Sequence, residues 1–283
     1  MTQVTDITQL TKIASQVRRD IVRQVHGCQS GHPGGSLGCT DLLVALFFNA
    51  MKHNNHFNMK GEGEDFFFLS NGHISPVIYS VLARAGYYDV SELATFRKLN
   101  SRLQGHPTTH EHLPGIRMSA GSLGQGLSVA IGAALSKKLK SDACLVYALM
   151  GDGEQNEGQV WEAVQFAPHH KVDNLIAIVD VNGQQIDGPT EQVMSNRNLA
   201  NKYSAFGWQI VYMDGNNMTD VVTSLNKAKE LCGKGVPVAI MMKTEMGAGV
   251  DFMMGSHKWH GVAPNDEQLQ TALAQLEETL GDY

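Results

Sequence analysis

The chain has 283 residues, of which 42% are hydrophobic and 18% are charged, a composition typical of a soluble globular protein with one large domain or two small ones. The net charge of −6 and the lack of a basic stripe exclude nucleic acid as the main partner, although a site for a small anion is still allowed. There is no Cys-x-x-Cys pair, no signal-peptide pattern and no apolar run of membrane-spanning length. We therefore predict a cytoplasmic protein with no structural zinc and no membrane segment.

The N-terminal part of the chain predicts helices around one short strand. Apolar residues at helical spacing from Ile7 to Val25 predict a first helix. The run Phe-Phe-Phe-Leu at 66–69 predicts a buried strand, and Asp89 with Glu92 has the pattern of a capping box. The remaining predicted elements are a glycine-rich loop at 30–35 and helices at 37–51 and 76–86.

The rest of the chain alternates strands with helices, which predicts a mostly parallel sheet with helices on both faces. Without an internal repeat or a clear linker, we predict a single α/β domain over residues 1–283. The predicted strands are 144–150, 175–181, 208–213 and 236–243. The predicted helices are one that opens within 121–126 and runs to about 140, one at 157–170, one between the second and third of these strands, one at 220–231 and a short closing helix at 266–281.

Two neighbouring predicted strands end in residues that suit a metal ion. One strand runs into Gly151-Asp152-Gly153, and the next ends at Asn182-Gly183. Ligands of open parallel sheets bind beyond the carboxyl ends of the strands, and carboxylate and amide oxygens suit Mg²⁺ or Ca²⁺. Asp-Gly and Asn-Gly are also common turn dipeptides, so each motif alone is weak and only the pair favours a metal–diphosphate site.

Taken together, blocks along nearly the whole chain resemble those of transketolases, in the same order. The resemblance implies the thiamine diphosphate-binding fold, with this chain as its diphosphate-type domain. The blocks are Ser30-Gly31-His32-Pro33-Gly34, Leu69-Ser70-Asn71-Gly72-His73, Gly105-His106-Pro107, Gly124-Gln125-Gly126, Gly151-Asp152-Gly153 with Glu157-Gly158, Asn182-Gly183 with Ile186-Asp187-Gly188, Lys243-Thr244 and Trp259-His260-Gly261.

The resemblance also implies two cofactors and a role for each matched residue. Thiamine diphosphate would bind with Mg²⁺ (or Ca²⁺), which Asp152, Asn182 and the main-chain carbonyl of Gln184 would coordinate. The implied catalytic residues are His32 and His106, which face the sugar and the reacting carbon, together with His260. The other implied cofactor contacts are His73, His260 and Gly153 to the diphosphate, Gly121 and Leu123 to the aminopyrimidine, Ile186 to the thiazolium ring, and Glu157 and Asn182 nearby, with Glu157 and Glu162 linking paired active sites.

A few positions depart from the family pattern. Ser122 stands where many members have proline, Gln184 and Gln185 replace more usual residues, and the segment 253–256 is short. The first two changes leave main-chain contacts available, whereas the short segment is expected to alter the cover over the sugar.

The largest departure is length, because transketolases carry two further domains. The second of the family's domains supplies the glutamate that activates the cofactor through its pyrimidine ring, and also the anchors for the substrate anion. We therefore expect a split transketolase, favoured over a truncated one, whose partner is a C-terminal subunit carrying the pyrimidine-binding domain. We expect two copies of each chain. Otherwise a residue such as Glu154 or Glu157 would have to serve in a homodimer.

The activity implied is transfer of a two-carbon ketol unit from an anionic ketose to an aldose. Two alternatives remain open. One is another thiamine diphosphate enzyme, resembling a 2-oxo-acid dehydrogenase or a deoxyxylulose-phosphate synthase, and the other is a non-catalytic partner subunit. The Ser-Gly-His-Pro-Gly and Trp-His-Gly blocks argue against the first, and intact Asp152 and His260 argue against the second.

Overall fold

A computed structural model describes residues 3–283. Its centre is a five-stranded sheet in which every neighbouring pair of strands is parallel. The order across the sheet is β1-β2-β3-β7-β6, and β4 and β5 form a separate antiparallel hairpin. The strands are β1 (Phe66–Leu69), β2 (Val146–Gly151), β3 (Leu175–Val181), β4 (Gln184–Gln185), β5 (Gly188–Pro189), β6 (Gln209–Asp214) and β7 (Val238–Lys243).

Within the described residues, ten α-helices connect and cover these strands. They are α1 (Ile7–Cys28), α2 (Pro33–Gly38), α3 (Thr40–Ala45), α4 (Ser75–Arg84), α5 (Gly126–Leu139), α6 (Gly158–His169), α7 (Thr190–Val193), α8 (Leu199–Ala205), α9 (Met218–Leu231) and α10 (Asp266–Gln275). Across residues 3–283, no helix has the length and apolar character that crossing a membrane requires.

Alternation along the buried strands divides the core into two layers, one on each face of the sheet. In β3, Ile176 and Ile178 join the core beneath α1, α3, α4 and α9, whereas Ala177 and Val179 join the core beneath α5, α6 and α8. Successive side chains of a strand point to opposite faces, so a strand that is apolar throughout must be covered on both. The predicted α/β fold with helices on both faces is confirmed.

The first helix begins and packs as its sequence predicts. Asp6 caps α1 by accepting a hydrogen bond of 2.9 Å from the backbone nitrogen of Thr8. Its apolar stripe is fully buried at Leu10, Val17 and Ile21, where α1 packs against α3 and α4.

The predicted second helix at 37–51 is wrong at its start and in its continuity. Helix α2 already begins at Pro33, because proline suits the first helical position, and a break at Cys39 separates it from α3. The hydroxyls of Ser36 and Thr40 donate back to the carbonyls of His32 and Ser36, at 2.7 and 2.9 Å, which favours a broken helix.

Two further boundaries need correction. Asp89 caps a short 3₁₀ helix, but Glu92 forms an ion pair with Arg102 at 2.7 Å and so completes no capping box. The closing helix ends at Gln275 and not at 281. At this end Arg19 of α1 donates to the carbonyls of Leu273 and Leu276, at 2.8 and 2.7 Å, and it also binds both carboxylate oxygens of Asp282, at 2.9 and 2.7 Å.

Candidate active site

The predicted metal residues meet at one edge of the sheet. Gly151 at the end of β2 pairs with Asp180 of β3, and the backbone nitrogen of Asp152 donates to the carbonyl of Asp180 at 3.0 Å. Because the two strands are parallel, their carboxyl ends place Asp152 and Asn182 side by side, as predicted.

The carboxylate of Asp152 is buried and held by backbone donors. Its Oδ1 accepts from the nitrogen of Gly153 and its Oδ2 from that of Gly183, both at 2.8 Å. Burial, followed by the nearby charge of Asp180, raises the pKa of Asp152 to about 7. The orientation of this carboxylate is therefore set by the fold.

Asp180 is a site residue that the sequence analysis missed. It is fully buried, and its Oδ2 accepts a hydrogen bond of 2.8 Å from Nδ2 of Asn182. Its Oδ1 accepts from the hydroxyl of Thr244 at 2.5 Å. The signal that could have revealed it is a lone carboxylate inside the apolar strand β3, where an unpaired charge is costly.

The donor set at this edge fits a divalent cation. In the described chain neither Asp152 nor Asp180 has a Lys, Arg or His within ion-pair distance, so two buried carboxylates lie together without a counter-charge. Residues 3–283 contain no group of three or more His, Cys, Asp or Glu that could hold a metal. An ion here would have to use amide and carbonyl oxygens as well, and β4 places Gln184 close enough, its backbone nitrogen donating to Oδ1 of Asn182 at 2.9 Å.

Four histidines gather beside this edge, although they come from distant parts of the chain. The ring centre of His32 lies 5.1 Å from that of His73, 5.6 Å from that of His260 and 6.5 Å from that of His106. The rings of His73 and His260 stack at 5.1 Å. The three predicted catalytic histidines and the predicted diphosphate contact His73 therefore form one cluster.

These imidazoles are neutral near pH 7. Burial, followed by the charges of His260, Arg97 and His106, lowers the pKa of His32 to about 4. Burial and the neighbouring histidines lower the pKa of His73 to about 3, and burial lowers the pKa of His260. The pKa of His106 is lowered by partial burial and by Arg97. A neutral imidazole can donate one hydrogen bond and accept another without placing a charge in the cleft.

Three of these histidines, His32, His73 and His260, line one cleft of about 390 Å³ together with the strand ends. Several buried polar atoms here have no hydrogen-bond partner among the described residues, which fits a polar ligand such as a diphosphate. These atoms are Nδ1 of His32, Oδ1 of Asn71, Oε1 of Gln184, Nε2 of Gln185 and Nδ1 of His260. Of the predicted site residues, the cleft is lined by His32, His73, Gly121, Leu123, Asp152, Gly153, Glu157, Asn182, Gln184, Ile186 and His260.

Glycines let the backbone come close to this cleft. Gly121 has φ +134°, and a Cβ there would lie 3.2 Å from the ring of His106. A Cβ on Gly153 would lie 3.0 Å from the side chain of Gln185. At both positions the absence of a side chain lets the backbone lie close to its neighbours.

Glu154, which the sequence analysis considered as a possible activating glutamate in a homodimer, instead links the segments around the cleft. It is 2% exposed, and its carboxylate accepts from the hydroxyl of Ser70 and from the backbone nitrogens of Gly124 and Gly151, the last two at 2.8 and 3.1 Å. With both oxygens engaged, Glu154 links Ser70 at the end of β1, Gly151 of β2 and the loop that contains Gly124, and it is not free to reach a ligand.

Two predicted residues lie outside the cleft lining. His106 is exposed at the rim, within reach of the cluster through His32. Glu162 lies instead on a separate groove of about 300 Å³ between α5 and α6, next to Phe166. The structure does not place Glu162 at the cofactor cleft.

A parallel sheet whose strand ends present oxygen donors beside a glycine-lined, imidazole-rich cleft defines an α/β cofactor-binding domain of the diphosphate type. The family model described as "Transketolase, thiamine diphosphate binding domain" matches residues 9–281. The chain belongs to the transketolase family, as its sequence blocks predicted.

The chain is similar both to relatives of about its own length and to much longer ones. An apulose-4-phosphate transketolase subunit from Phocaeicola vulgatus is 36% identical over 263 residues, covering 93% of this chain and 92% of the relative. The 6-deoxy-6-sulfo-D-fructose transketolase subunit SqwG of a Clostridium species is 36% identical over 264 residues, covering 93% and 94%. The transketolase of Homo sapiens is 35% identical over 255 residues, covering 89% of this chain but 39% of the human protein.

Solved structures agree with the fold. The transketolase of Campylobacter jejuni superposes with a TM-score of 0.88 at 32% identity, covering 96% of this chain and 43% of that one. The transketolase of Leishmania mexicana gives 0.87 at 30% identity, covering 94% and 41%. The chain thus spans about two fifths of these longer transketolases and nearly the whole of relatives named as subunits.

Proposed function

We propose that this chain is the cofactor-binding subunit of a two-chain transketolase, which moves a two-carbon ketol unit from an anionic ketose to an aldose. The observation that carries the proposal is the meeting of Asp152 and Asn182 with the histidine cluster in one cleft. It occurs in a chain that matches transketolase subunits along nearly their whole length.

In this proposal Asp152, Asn182 and the carbonyl of Gln184 hold Mg²⁺ (or Ca²⁺) against the diphosphate of the cofactor. The uncompensated carboxylates and the hard oxygen donors support a divalent ion. Two diphosphate oxygens and a water would complete the six ligands that Mg²⁺ requires.

The remaining cleft residues hold the two ends of the cofactor. His73, His260 and the backbone of Gly153 face the diphosphate, and the unpartnered Nδ1 of His260 supports this role. The other contacts that we assign are Gly121 and Leu123 to the aminopyrimidine, the exposed Ile186 to the thiazolium ring, and Glu157 at the start of α6 beside the diphosphate.

The catalytic role of this chain is proton transfer to and from the sugar. When bound, thiamine diphosphate supplies the nucleophilic carbon that carries the two-carbon unit. We assign His32, His106 and His260 to accepting and returning protons at sugar hydroxyls, a role that imidazole suits because its ordinary pKa lies near neutral pH.

A partner subunit supplies what this chain lacks. Cofactor activation needs a glutamate at the pyrimidine ring, and Glu154 does not fit that role because Ser70, Gly124 and Gly151 occupy its oxygens. Glu157 lines the cleft, and we assign it to the diphosphate end. We propose a C-terminal subunit with the pyrimidine-binding domain and two copies of each chain, with Glu157 and Glu162 near the seam between paired sites. A cytoplasmic location stays a prediction.

The test is reconstitution. The purified chain, saturated with thiamine diphosphate and Mg²⁺, is assayed for ketol transfer from ketose phosphates and sulfonates, before and after the candidate partner chain is added. We expect activity only in the complex, and none when the chain carries Asp152→Ala. Full activity from the lone chain would overturn the two-chain proposal. Activity of the complex on pyruvate in place of ketoses would favour another thiamine diphosphate enzyme.

A further inference from the structure

We propose that Arg97 is a positioning residue that holds the segments carrying His32 and His106 in register with each other. This inference rests on the proposed role of these two histidines at the sugar. Arg97 lies outside the cleft lining and contacts neither imidazole through a hydrogen bond. It would therefore act through the segments and not on the substrate.

The guanidinium of Arg97 bridges the two segments directly. Its Nη1 donates to the hydroxyl of Ser30 at 2.7 Å, two residues before His32. Its Nη2 lies 3.4 Å from the carbonyl oxygen of Gly105, immediately before His106. The planar fork of arginine can make both contacts at once, which a single ammonium group cannot do in the same geometry.

Close packing around Arg97 restricts the segments that it joins. A Cβ on Gly105 would lie 2.9 to 3.0 Å from the guanidinium atoms of Arg97, so this segment lies flat against the arginine. Gly31 has φ +140°, and a Cβ there would lie 3.3 Å from the ring of Phe96, the residue before Arg97. The turn at 96–97 thus contacts the backbone next to each histidine.

The backbone around Arg97 and Gly105 is itself held by hydrogen bonds. Arg97 has φ +57°, and its backbone nitrogen donates to the carbonyl of Leu103 at 2.9 Å. The carbonyl of Gly105 also accepts from the hydroxyl of Ser75 at 2.8 Å, which anchors the same segment to α4. The guanidinium therefore projects from a closed loop onto a fixed neighbour.

The charge of Arg97 has no carboxylate partner within ion-pair distance in the described structure, whereas the nearby Arg102 is paired with Glu92. Its Nε is buried and without a hydrogen-bond partner among residues 3–283. An uncompensated cation disfavours protonation of nearby imidazoles. Accordingly, after burial, it contributes to lowering the pKa of both His32 and His106.

Substitutions of Arg97 can separate its effect on the position of the two histidines from the effect of its charge. His73, His260 and His106 surround His32, while Arg97 is the charged group that acts on His106. Arg97→Met removes both the bridge and the charge, and Arg97→Lys keeps the charge but loses the fork. Arg102→Met is the matched control, since it removes a cation from the same loop, where Arg102 pairs with Glu92 and not with the histidine segments.

The first experiment needs no activity. Histidine ring signals of the intact chain are titrated by NMR and assigned with His32→Gln and His106→Gln. We expect Arg97→Met to raise the pKa of both histidines, and Arg102→Met to leave both unchanged. In Arg97→Lys the ring signals of both histidines should change position at high pH, because the segments move, with smaller changes in pKa.

The second experiment uses the assembled two-chain enzyme. Misplaced catalytic groups cost up to ~100-fold in rate, so we expect Arg97→Lys to lower kcat by up to that factor while the affinity for thiamine diphosphate stays as in wild type. Wild-type kcat and unchanged ring signals in Arg97→Lys would overturn the positioning role, even if Arg97→Met fails to fold. Failure of the proposed function is distinct, because the wild-type complex would then show no ketol transfer.

Discussion

Asp180 accepts a hydrogen bond of 2.8 Å from Nδ2 of Asn182, and this contact turns Oδ1 of Asn182 to the opposite side, where it meets the backbone nitrogen of Gln184 at 2.9 Å. A carboxylate can only accept here, so the amide has one favourable orientation. In the proposed metal site, a buried partner of this kind would orient Asn182 without touching the metal.

Asp180→Asn should weaken metal-dependent cofactor binding. The new amide can donate as well as accept, so Asn182 loses its fixed orientation, and outer partners of ligands typically contribute 10- to 100-fold in affinity, about that loss being expected here. Calorimetric titration of the complex with thiamine diphosphate and Mg²⁺ measures it. Asp187→Asn, an exposed residue of the same loop, is the control. Equal affinities for the two variants would contradict the role of Asp180.

Asp152→Ala should abolish measurable binding of thiamine diphosphate in the assembled enzyme. It removes the only charged ligand that we assign to the metal, together with the acceptor for the backbone nitrogens of Gly153 and Gly183. The same titration, with circular dichroism to verify the fold, is the measurement. A variant that folds and binds the cofactor like wild type would refute the metal assignment.

Alanine at His32 or at His106 should lower turnover by ~10²–10⁴, the range for a lost general acid or base, with little change in cofactor affinity. Both imidazoles belong to the cluster, while the diphosphate contacts are assigned to His73 and His260. Steady-state kinetics of the complex tests this, with the exposed His110→Ala as control. If both variants turn over like wild type, these histidines do not act on the sugar.

His73 should make the folded chain less stable in acid. Its pKa falls from an ordinary 6.5 to about 3 on folding, mainly through burial. Between these values the folded state binds fewer protons than the unfolded state, so stability falls as the pH is lowered through the window. Asp152 and Asp180, whose pKa values are raised by burial, act in the opposite direction, so a comparison of variants is needed.

The comparison is the free energy of unfolding in urea at several pH values, for wild type and His73→Gln. Because glutamine takes up no proton, the stability of the variant relative to wild type should improve as the pH falls from 6.5 to 4. His110→Gln, the same substitution at an exposed position, is the matched control. A pH-independent difference for His73→Gln would show that burial does not hold this imidazole neutral.

Much of the fold follows from local sequence. Strands such as β3 are apolar at nearly every buried position, and both faces of a parallel sheet must be covered, so the α/β class and the strand positions were predictable. The placement of Asp152 and Asn182 at neighbouring strand ends was predictable for the same reason, since parallel strands end at one edge of the sheet. Helix ends were less predictable: Pro33 favours the early start of α2, and the end of α10 is contacted by Arg19, which is distant in sequence.

By itself, the sequence determined the family, the order of strands along the chain and the residues at their carboxyl ends, because these are carried by short motifs and by alternation within single strands. Only the tertiary structure decided which charged residues support the site. Asp180 stands out in sequence only as a carboxylate within an apolar strand, Glu154 only as one of several acidic candidates, and Arg97 not at all. Their roles depend on partners such as Asn182 and Ser70 and on burial, which long-range packing alone establishes.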